Sequence, residues 1–348
     1  MYYLKDKTVL ITGVAGSIGT ALVKRLTGEN LTKKILGLDN NETGVTNLVR
    51  EYERNYNAEF MFADVRDYDS IINATKGVDI IIHTAALKHV SVSDIAPMET
   101  VRTNIIGTNN VINAALKNGV ERVLFTSSDK AVHPTNGMGA SKQMGESLVL
   151  SADRTSVRAS LQTRFMCTRF GNVLGSSGSV LPIFKAQLHS GQDLTLTDPE
   201  MSRFVMNIND AVDLVLNSLC QAEGGEIFVT KMATIKIIDL AEVLLESYFD
   251  KHDSSGKKSR IVIVGAKPGE KLYEELMTAE EAQRARETDR YYIIRSLDHN
   301  FRSKSDNKLG GDPYSNNTPQ LSAYDSRTGP FMSKELLYNF LSNSDLLI

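Results

Sequence analysis

Apolar residues come in short, β-branched runs through the first half of the chain: Thr8 to Thr12, Lys34 to Leu38, Glu59 to Phe62, Asp79 to His83, Arg122 to Thr126 and Thr163 to Arg169. Amphipathic segments near 17–28, 43–56, 67–75, 97–118 and 137–152 separate them, with apolar positions at helical spacing. Runs that are apolar throughout belong to strands buried on both faces. Their alternation with helices predicts a doubly wound α/β fold, a parallel sheet with helices on both sides. Pro97 suits a first helical turn and Asn118-Gly119 a helix end. Beyond residue 172 the alternation loosens. Gly-Ser-Ser-Gly-Ser at 175–179 leads into a helix over 179–190, a turn at Asp198-Pro199, helices near 208–222 and 236–250, and a strand at 226–230. The pattern thus predicts a sheet domain over 1–172 with 204–230 returning to it, a smaller lobe from 173–203 and 231–297, and a tail over 298–348. From Asp298 to Asp325 the tail has the Asn, Ser, Asp, Gly and Pro composition of a loop, before a short apolar helix near 333–343.

Composition narrows the functions this fold could serve. The 348 residues carry 39 Lys and Arg against 42 Asp and Glu, a formal charge of -3, so nothing draws the whole chain to nucleic acid or anionic membrane. Two cysteines, Cys167 and Cys220, make no disulfide framework, and no CxxC suggests a metal site. The N-terminus shows no signal-peptide pattern, and the longest uncharged apolar stretch, Val9 to Val23, is interrupted by three glycines and too short to span a bilayer. A cytoplasmic location, with no membrane or nucleic-acid partner, is expected.

Thr12-Gly13-Val14-Ala15-Gly16-Ser17-Ile18-Gly19 follows the first strand directly and opens the first helix. Glycines there permit a tight turn, a close backbone approach to a pyrophosphate and close helix packing, while the helix N-terminus attracts negative charge. Asp39 lies 20 residues beyond Gly19, at the end of the second strand. A carboxylate there accepts hydrogen bonds from ribose hydroxyls and repels a 2'-phosphate, which favours NAD over NADP; its other reading is a helix cap. Asp64 and Val65 would meet the adenine edge, and Ala85 and Ala86 would leave room for the cofactor.

The glycine spacing, Thr126-Ser127-Ser128 ending a strand, and Lys142 on the next helix resemble the extended short-chain dehydrogenase/reductase superfamily. Three segments sharpen the resemblance: Ala85-Ala86-Leu87-Lys88-His89-Val90; Ser128-Asp129-Lys130-Ala131-Val132 with Pro134-Thr135-Asn136; and Lys267-Pro268-Gly269-Glu270-Lys271-Leu272-Tyr273-Glu274-Glu275-Leu276. Together they resemble the UDP-N-acetylglucosamine 4,6-dehydratases of bacterial surface-sugar biosynthesis, over roughly residues 5–296. The resemblance implies tightly bound NAD, also contacted by Lys88, Asn104 and Lys142, and a homo-oligomer. One position departs from the superfamily. Its Tyr-x-x-x-Lys pair sets a phenol beside an ammonium that lowers the phenol's pKa, but here the tyrosine position is Met138, which cannot ionise. A configuration-retaining branch of the dehydratases has Met at this place.

The implied reaction oxidises C4 of the sugar, eliminates water across C5 and C6, and returns hydride to C6, giving UDP-2-acetamido-2,6-dideoxy-α-D-xylo-hexos-4-ulose. It needs a base at C5 and an acid at the C6 oxygen. By resemblance Lys130 is the base and Asp129 the acid; the lysine must titrate low and the aspartate high. In isolation an Asp-Lys dipeptide is more often a solvated loop pair. Ser128, Asp129 or a water are candidates for receiving the O4 proton, and Met138 packs near the nicotinamide. His83 reads as a strand-end core histidine, and His89 and His133 as loop residues near the site.

For the nucleotide sugar, Asn172, Ser179, Val180 and Lys185 would meet the diphosphate at a helix start. Thr195 fits the family's uracil-binding turn, Arg203 a diphosphate clamp and Glu270 the uridine ribose, with Lys88 also near the substrate. Lys267 stands where the family usually has arginine, which reduces a bidentate contact to a single charge. Two further readings stand beside dehydration: a UDP-sugar 4-epimerase or reductase, and a catalytically silent NAD-binding regulator.

Overall fold

The computed structural model describes residues 2–55, 57–251, 259–266, 269–296 and 321–347. The expected alternation forms in order: β1 (Thr8–Thr12), α1 (Ser17–Gly28), β2 (Lys34–Asp39), α2 (Glu42–Glu51), β3 (Ala58–Phe62), α3 (Tyr68–Ala74) and β4 (Ile80–His83). There follow α4 (Val90–Ile95), α5 (Pro97–Thr100), α6 (Thr108–Asn118), β5 (Arg122–Ser128), α7 (Gly137–Arg158) and β6 (Arg164–Phe170). Next come β7 (Asn172–Val173), α8 (Val180–His189), β8 (Leu194–Leu196), β9 (Ser202–Met206), α9 (Ile208–Gln221), β10 (Glu226–Thr230), β11 (Ala233–Lys236), α10 (Ile237–Lys251) and β12 (Ile261–Ile263). The last are β13 (Glu275–Met277), α11 (Ala279–Ala282), β14 (Ala285–Glu287), β15 (Tyr291–Arg295), β16 (Tyr324–Asp325) and α12 (Lys334–Asn343).

The main sheet has nine strands in the order β14-β15-β10-β6-β5-β4-β1-β2-β3. From β3 across to β10 every pairing is parallel; β15 and β14 then close that edge antiparallel. Strand order reverses beside β1, because β1 pairs with both β2 and β4, and this opens a crevice at the carboxyl ends of β1 and β4 where such sheets bind ligands. Helices fall into two groups, α1 with α9, and α3, α6 and α7 in series, as right-handed crossovers on a doubly wound sheet require.

Two apolar clusters fill the interior. One runs under the sheet, from Val9, Leu10 and Ile11 through Phe125 and Phe165 to Phe228 and Ile294. The other joins Leu181, Phe184 and Leu188 of α8 and Leu240 and Leu244 of α10 to Leu337 and Leu341 of α12.

Some element readings change. The helix expected over 43–56 stops at Glu51, and the one expected over 97–118 is broken: α4 and α5 come first, Val101–Gly107 is a π-helical turn, and only Thr108–Asn118 is regular α-helix. The hairpin of β14 and β15 was not visible in the apolar pattern. Tyr324–Asp325, inside the stretch read as loop, pairs with β13. Most of that loop, 298–320, lies outside the described residues.

Candidate active site

Gly13 sits at φ +70°, and a Cβ there would lie 2.6 Å from the Ala85 nitrogen, so the glycine lets the first loop touch the loop after β4. A Cβ on Gly19 would meet the Gly13 carbonyl oxygen at 2.4 Å, so α1 begins hard against the turn. Gly16 is the N-cap and brings no capping side chain; the first N–H groups of α1, from Ser17 and Ile18 on, are therefore left for an anion. Asp39 accepts from Ala15 N–H at 2.9 Å and Asn41 N–H at 2.9 Å, while Asn41 is the residue that caps α2. The loop backbone thus holds the Asp39 carboxylate beside the turn. Asp64 is gripped by Arg66, whose hydrogen bonds outweigh burial and hold the carboxyl below its ordinary range. Val65 is buried, and a Cβ on Gly107 would touch its Cγ2. Ala85 and Ala86 are half-buried and Lys88 is exposed.

Asn104, expected at the cofactor, is buried in the π-helical turn with its amide already engaged. It accepts from Leu87 N–H at 2.8 Å and donates to the Leu87 carbonyl and to Ser141 Oγ, both at 2.9 Å. It fixes the β4 loop to α7 and does not reach outward. His83 bridges Thr12 Oγ1 at 2.6 Å and Thr108 Oγ1 at 3.1 Å; burial, aided by Lys142, pushes its pKa down to about 3, which matches its reading as a neutral core imidazole. His89 packs on Gly178, and His133, at φ 43°, contacts Glu275 at 2.8 Å.

The ionisable centre lies where β5 ends. Ser128 caps the 3-10 turn Asp129–Ala131 and donates from Oγ to Asp129 Oδ1 at 2.6 Å. The same oxygen accepts from Lys130 N–H at 2.8 Å and Lys130 Nζ at 3.0 Å. Asp129 is 1% exposed, and its Oδ2 is buried without a hydrogen-bond partner among the described residues. Lys130 Nζ also lies 3.5 Å from Glu274 Oε1. Burial acts to lower the Lys130 pKa, but the charges of Asp129 and Glu274 prevail and raise it. This corrects the expectation of a low-titrating lysine, because two buried carboxylates hold it as ammonium.

Glu274 is the residue that sequence reasoning missed. It is 2% exposed; Arg203 Nε lies 3.9 Å and Lys271 Nζ 3.8 Å from its carboxylate, and its Oε2 has no hydrogen-bond partner among the described residues. Its only signal was an acidic pair, Glu274-Glu275, opening an apolar strand, and nothing local says which of the two turns inward. Arg203, expected to clamp a diphosphate, instead donates to the backbone carbonyls of Ser202 and Lys271, both at 2.7 Å, and Leu272, at 3.2 Å. The extended carbonyls of the 271–272 segment lie within reach of its fork. Thr135 Oγ1 and Asn136 Nδ2 donate to the Gly269 carbonyl and bring that segment to the start of α7.

Met138 is buried in the first turn of α7, where Asn136 is the cap. One turn on, Lys142 donates to the Thr126 carbonyl at 2.9 Å and lies 4.6 Å from the centre of the Phe125 ring; burial lowers its pKa to about 8. Of the residues expected at the nucleotide sugar, Asn172 is half-buried on β7 and Ser179 caps α8, its Oγ buried and without a partner among the described residues, with Val180 the first helical residue. Lys185 turns to the Leu347 carbonyl at 3.1 Å, because the C-terminal segment packs over α8. Thr195 is tied to Gln187, Glu270 is exposed, and Lys267 lies outside the described residues.

Relatives and solved structures place this geometry. A polysaccharide biosynthesis protein family profile matches residues 9–296. The chain is 40% identical to the uncharacterized membrane protein MJ1061 of Methanocaldococcus jannaschii over 346 residues, 99% of this chain and 98% of that one. It is 40% identical to a UDP-glucose 4-epimerase of Rickettsia bellii over 291 residues, 83% of each chain. Pen from Bacillus thuringiensis superposes with a TM-score of 0.89 at 37% identity, covering 99% of this chain and all of that one. DesIV of Streptomyces venezuelae, a dTDP-glucose 4,6-dehydratase solved with NAD, shares the fold at 24% identity with a TM-score of 0.67, over 76% of this chain and 86% of its own. Among the described residues no helix is long and apolar enough to cross a membrane. With the profile spanning residues 9–296 and relatives 40% identical over 83% and 99% of its length, the chain belongs to the polysaccharide biosynthesis protein family.

Proposed function

We propose that this protein is an NAD-dependent 4,6-dehydratase acting on UDP-N-acetylglucosamine for surface-glycan biosynthesis. The observation that carries the reading is the Asp129–Lys130 pair where β5 ends, its aspartate buried with one oxygen unpartnered among the described residues, and methionine in place of tyrosine at 138. The site fits NAD: a Cβ at Gly13 would close the turn, α1 offers uncapped N–H groups to the pyrophosphate, and Asp39 is held where a ribose would lie. NAD bound there would supply hydride transfer, as acceptor at C4 and donor at C6. Ala15, Gly16, Ser17 and Ile18 would hold the pyrophosphate, Asp64 and Val65 flank the adenine, and Lys142 reaches the nicotinamide ribose. Asn172, Ser179, Val180 and Thr195 would meet the UDP.

The protein's own steps form a closed proton cycle. Asp129 takes the O4 proton through Oδ2 while Ser128 orients O4. Lys130 removes the C5 proton, and Asp129 passes its new proton to the departing C6 hydroxyl, which leaves as water. Lys130 then returns a proton to C5. Asp129 and Lys130 end as they began, so no phenol is needed. A cytosolic homo-oligomer, joined through the helices over 97–118 and 137–152, on which Met98, Ile106 and Met144 are exposed, completes the reading.

The 40% identity to a UDP-glucose 4-epimerase favours a second reading, C4 inversion without elimination. Incubation with UDP-N-acetylglucosamine in deuterated water separates them. Dehydration gives a product lighter by one water, carrying deuterium at C5, whose configuration proton couplings then reveal. Inversion at C4 with no deuterium at C5 would establish the epimerase. NAD-loaded protein that leaves every UDP-sugar unchanged would exclude both.

A further inference from the structure

Lys130 poses a difficulty for the dehydratase reading. A base at C5 must be neutral, yet Asp129 and Glu274 hold this lysine as ammonium. Asp129 cannot relieve it, because at that stage it already carries the O4 proton. The second carboxylate is left. We propose that Glu274 takes the proton from Lys130 before C5 is attacked and gives it back after the product forms, acting through Lys130 as a positioning residue that also stores a proton.

The geometry suits that task. Glu274 Oε1 stands 3.5 Å from Lys130 Nζ, an ion pair that a small turn of the flexible lysine chain would close to a hydrogen bond, and the Glu274 carboxylate is 2% exposed. Arg203 from β9 and Lys271 from its own segment stand at 3.9 and 3.8 Å, beyond a normal hydrogen bond, and leave Oε2 unpaired. Burial pushes the Glu274 carboxyl up against the pull of Lys130, Arg203 and Lys271, which favours its taking a proton. Its backbone is pinned in both directions: Glu274 N–H donates to Ser326 Oγ at 3.0 Å and Ser326 N–H donates to the Glu274 carbonyl at 2.9 Å.

The step balances. One Lys130 N–H bond breaks and one Glu274 O–H bond forms, converting an ion pair into a neutral pair. The neutral amine then forms a bond to the C5 proton, the C5–H electrons become the C5–C6 double bond, and the C6–O bond breaks as Asp129 protonates the leaving oxygen. When Lys130 has reprotonated C5, the Glu274 proton returns to it.

This inference rests on the dehydratase reading, and one experiment separates the two. The parent protein, Glu274→Gln and Glu274→Asp are compared in deuterated water with UDP-N-acetylglucosamine. Nicotinamide reduction is followed by absorbance, and deuterium at C5 by NMR. Glu274→Gln is expected to keep its rate of nicotinamide reduction while C5 exchange slows about 100-fold, the scale of a lost proton acceptor, and Glu274→Asp recovers part of it. C5 exchange that is unchanged or faster in Glu274→Gln, with its acid limb moved to lower pH, overturns the proposal, since a carboxylate that only kept Lys130 charged would give that result. If Glu274→Gln does not fold, Glu274→Asp decides alone: exchange slowed about tenfold supports the store, and an unchanged rate refutes it. A parent that inverts C4 and takes no deuterium at C5 refutes the dehydratase reading itself, and the store with it.

Discussion

Lys142 shows burial and function pulling one side chain in opposite directions. It is 6% exposed, and burial lowers its pKa from 10.5 to about 8. Between those values the unfolded chain binds a proton that the folded chain does not, so stability is depressed on the acid side of about 8 and regained as pH rises toward 10.5. The burden at neutral pH is on the order of 3 kcal/mol, at about 1.4 kcal/mol per unit. Lys142→Met removes it but strips the Thr126 carbonyl of a donor, costing about 1–3 kcal/mol. The variant should therefore unfold at higher temperature than the parent at pH 7, by about 1 kcal/mol of stability, lose that advantage near pH 10, and bind NAD more weakly by calorimetry. An advantage that persisted unchanged to pH 10 would show that no buried charge is involved. At this scale the sequence was legible wherever chemistry is local. Gly13 and Asp39 announce themselves by spacing, and Asp129 and Lys130 by resemblance to a family motif, whereas Asn104, Arg203 and Lys185 are residues of the right type whose hydrogen bonds go to partners that only the fold supplies. Glu274 and Ser326 meet across 52 residues, and no spacing rule connects them.

The N-terminus of helix α7 rests on the ionisable turn because small residues let it. A Cβ on Gly139 would lie 2.2 Å from the Lys130 carbonyl oxygen, and one on Gly145 would lie 2.6 Å from Cζ of the buried Phe125 ring. Gly137, in the same helix, would find nothing closer than 3.8 Å. Alanine is favoured over glycine inside a helix by about 1 kcal/mol, so propensity alone would make each replacement stabilising. Gly139→Ala should nevertheless destabilise by about 1–3 kcal/mol, the scale of overpacking, and displace the Lys130 backbone, while Gly137→Ala is neutral or mildly stabilising. Thermal unfolding of the pair checks this, and equal effects at both positions would mean that the helix does not need the close approach. The strands up to β6 and helices α1, α3 and α7 were legible because each strand is an apolar run and each of these helices carries a clear helical spacing. What escaped notice was short or irregular: the π-helical turn at Val101–Gly107, the hairpin of β14 and β15, and the two-residue β16, whose partner lies far away in sequence.

On the scale of the whole molecule, residues 321–347 belong to the structure as firmly as the sheet does. Leu337 and Leu341 are fully buried against α10 and α8, Tyr324 stacks near Phe204 and Tyr292, and Leu346 covers Gly175. Deleting 321–348 should expose this second apolar cluster, and the shortened chain should elute as aggregate in gel filtration and bind a hydrophobic dye; a monodisperse, fully folded product would contradict the packing described. The apolar stripe over 333–343 pointed to the docked last helix, whereas β16 was concealed by the tail's polar composition because it pairs through backbone. The pair of hydrogen bonds between Ser326 and Glu274 has one more consequence, which concerns time. A ribosome makes the chain from its N-terminus, and domains begin to fold as they emerge. The glycine turn and Asp39 are in place early, but Glu274 is not locked beside Lys130 until Ser326 has been synthesised and folded back. On the reading proposed above, a growing chain would complete its dinucleotide turn before its proton store, and unfinished molecules would be chemically silent.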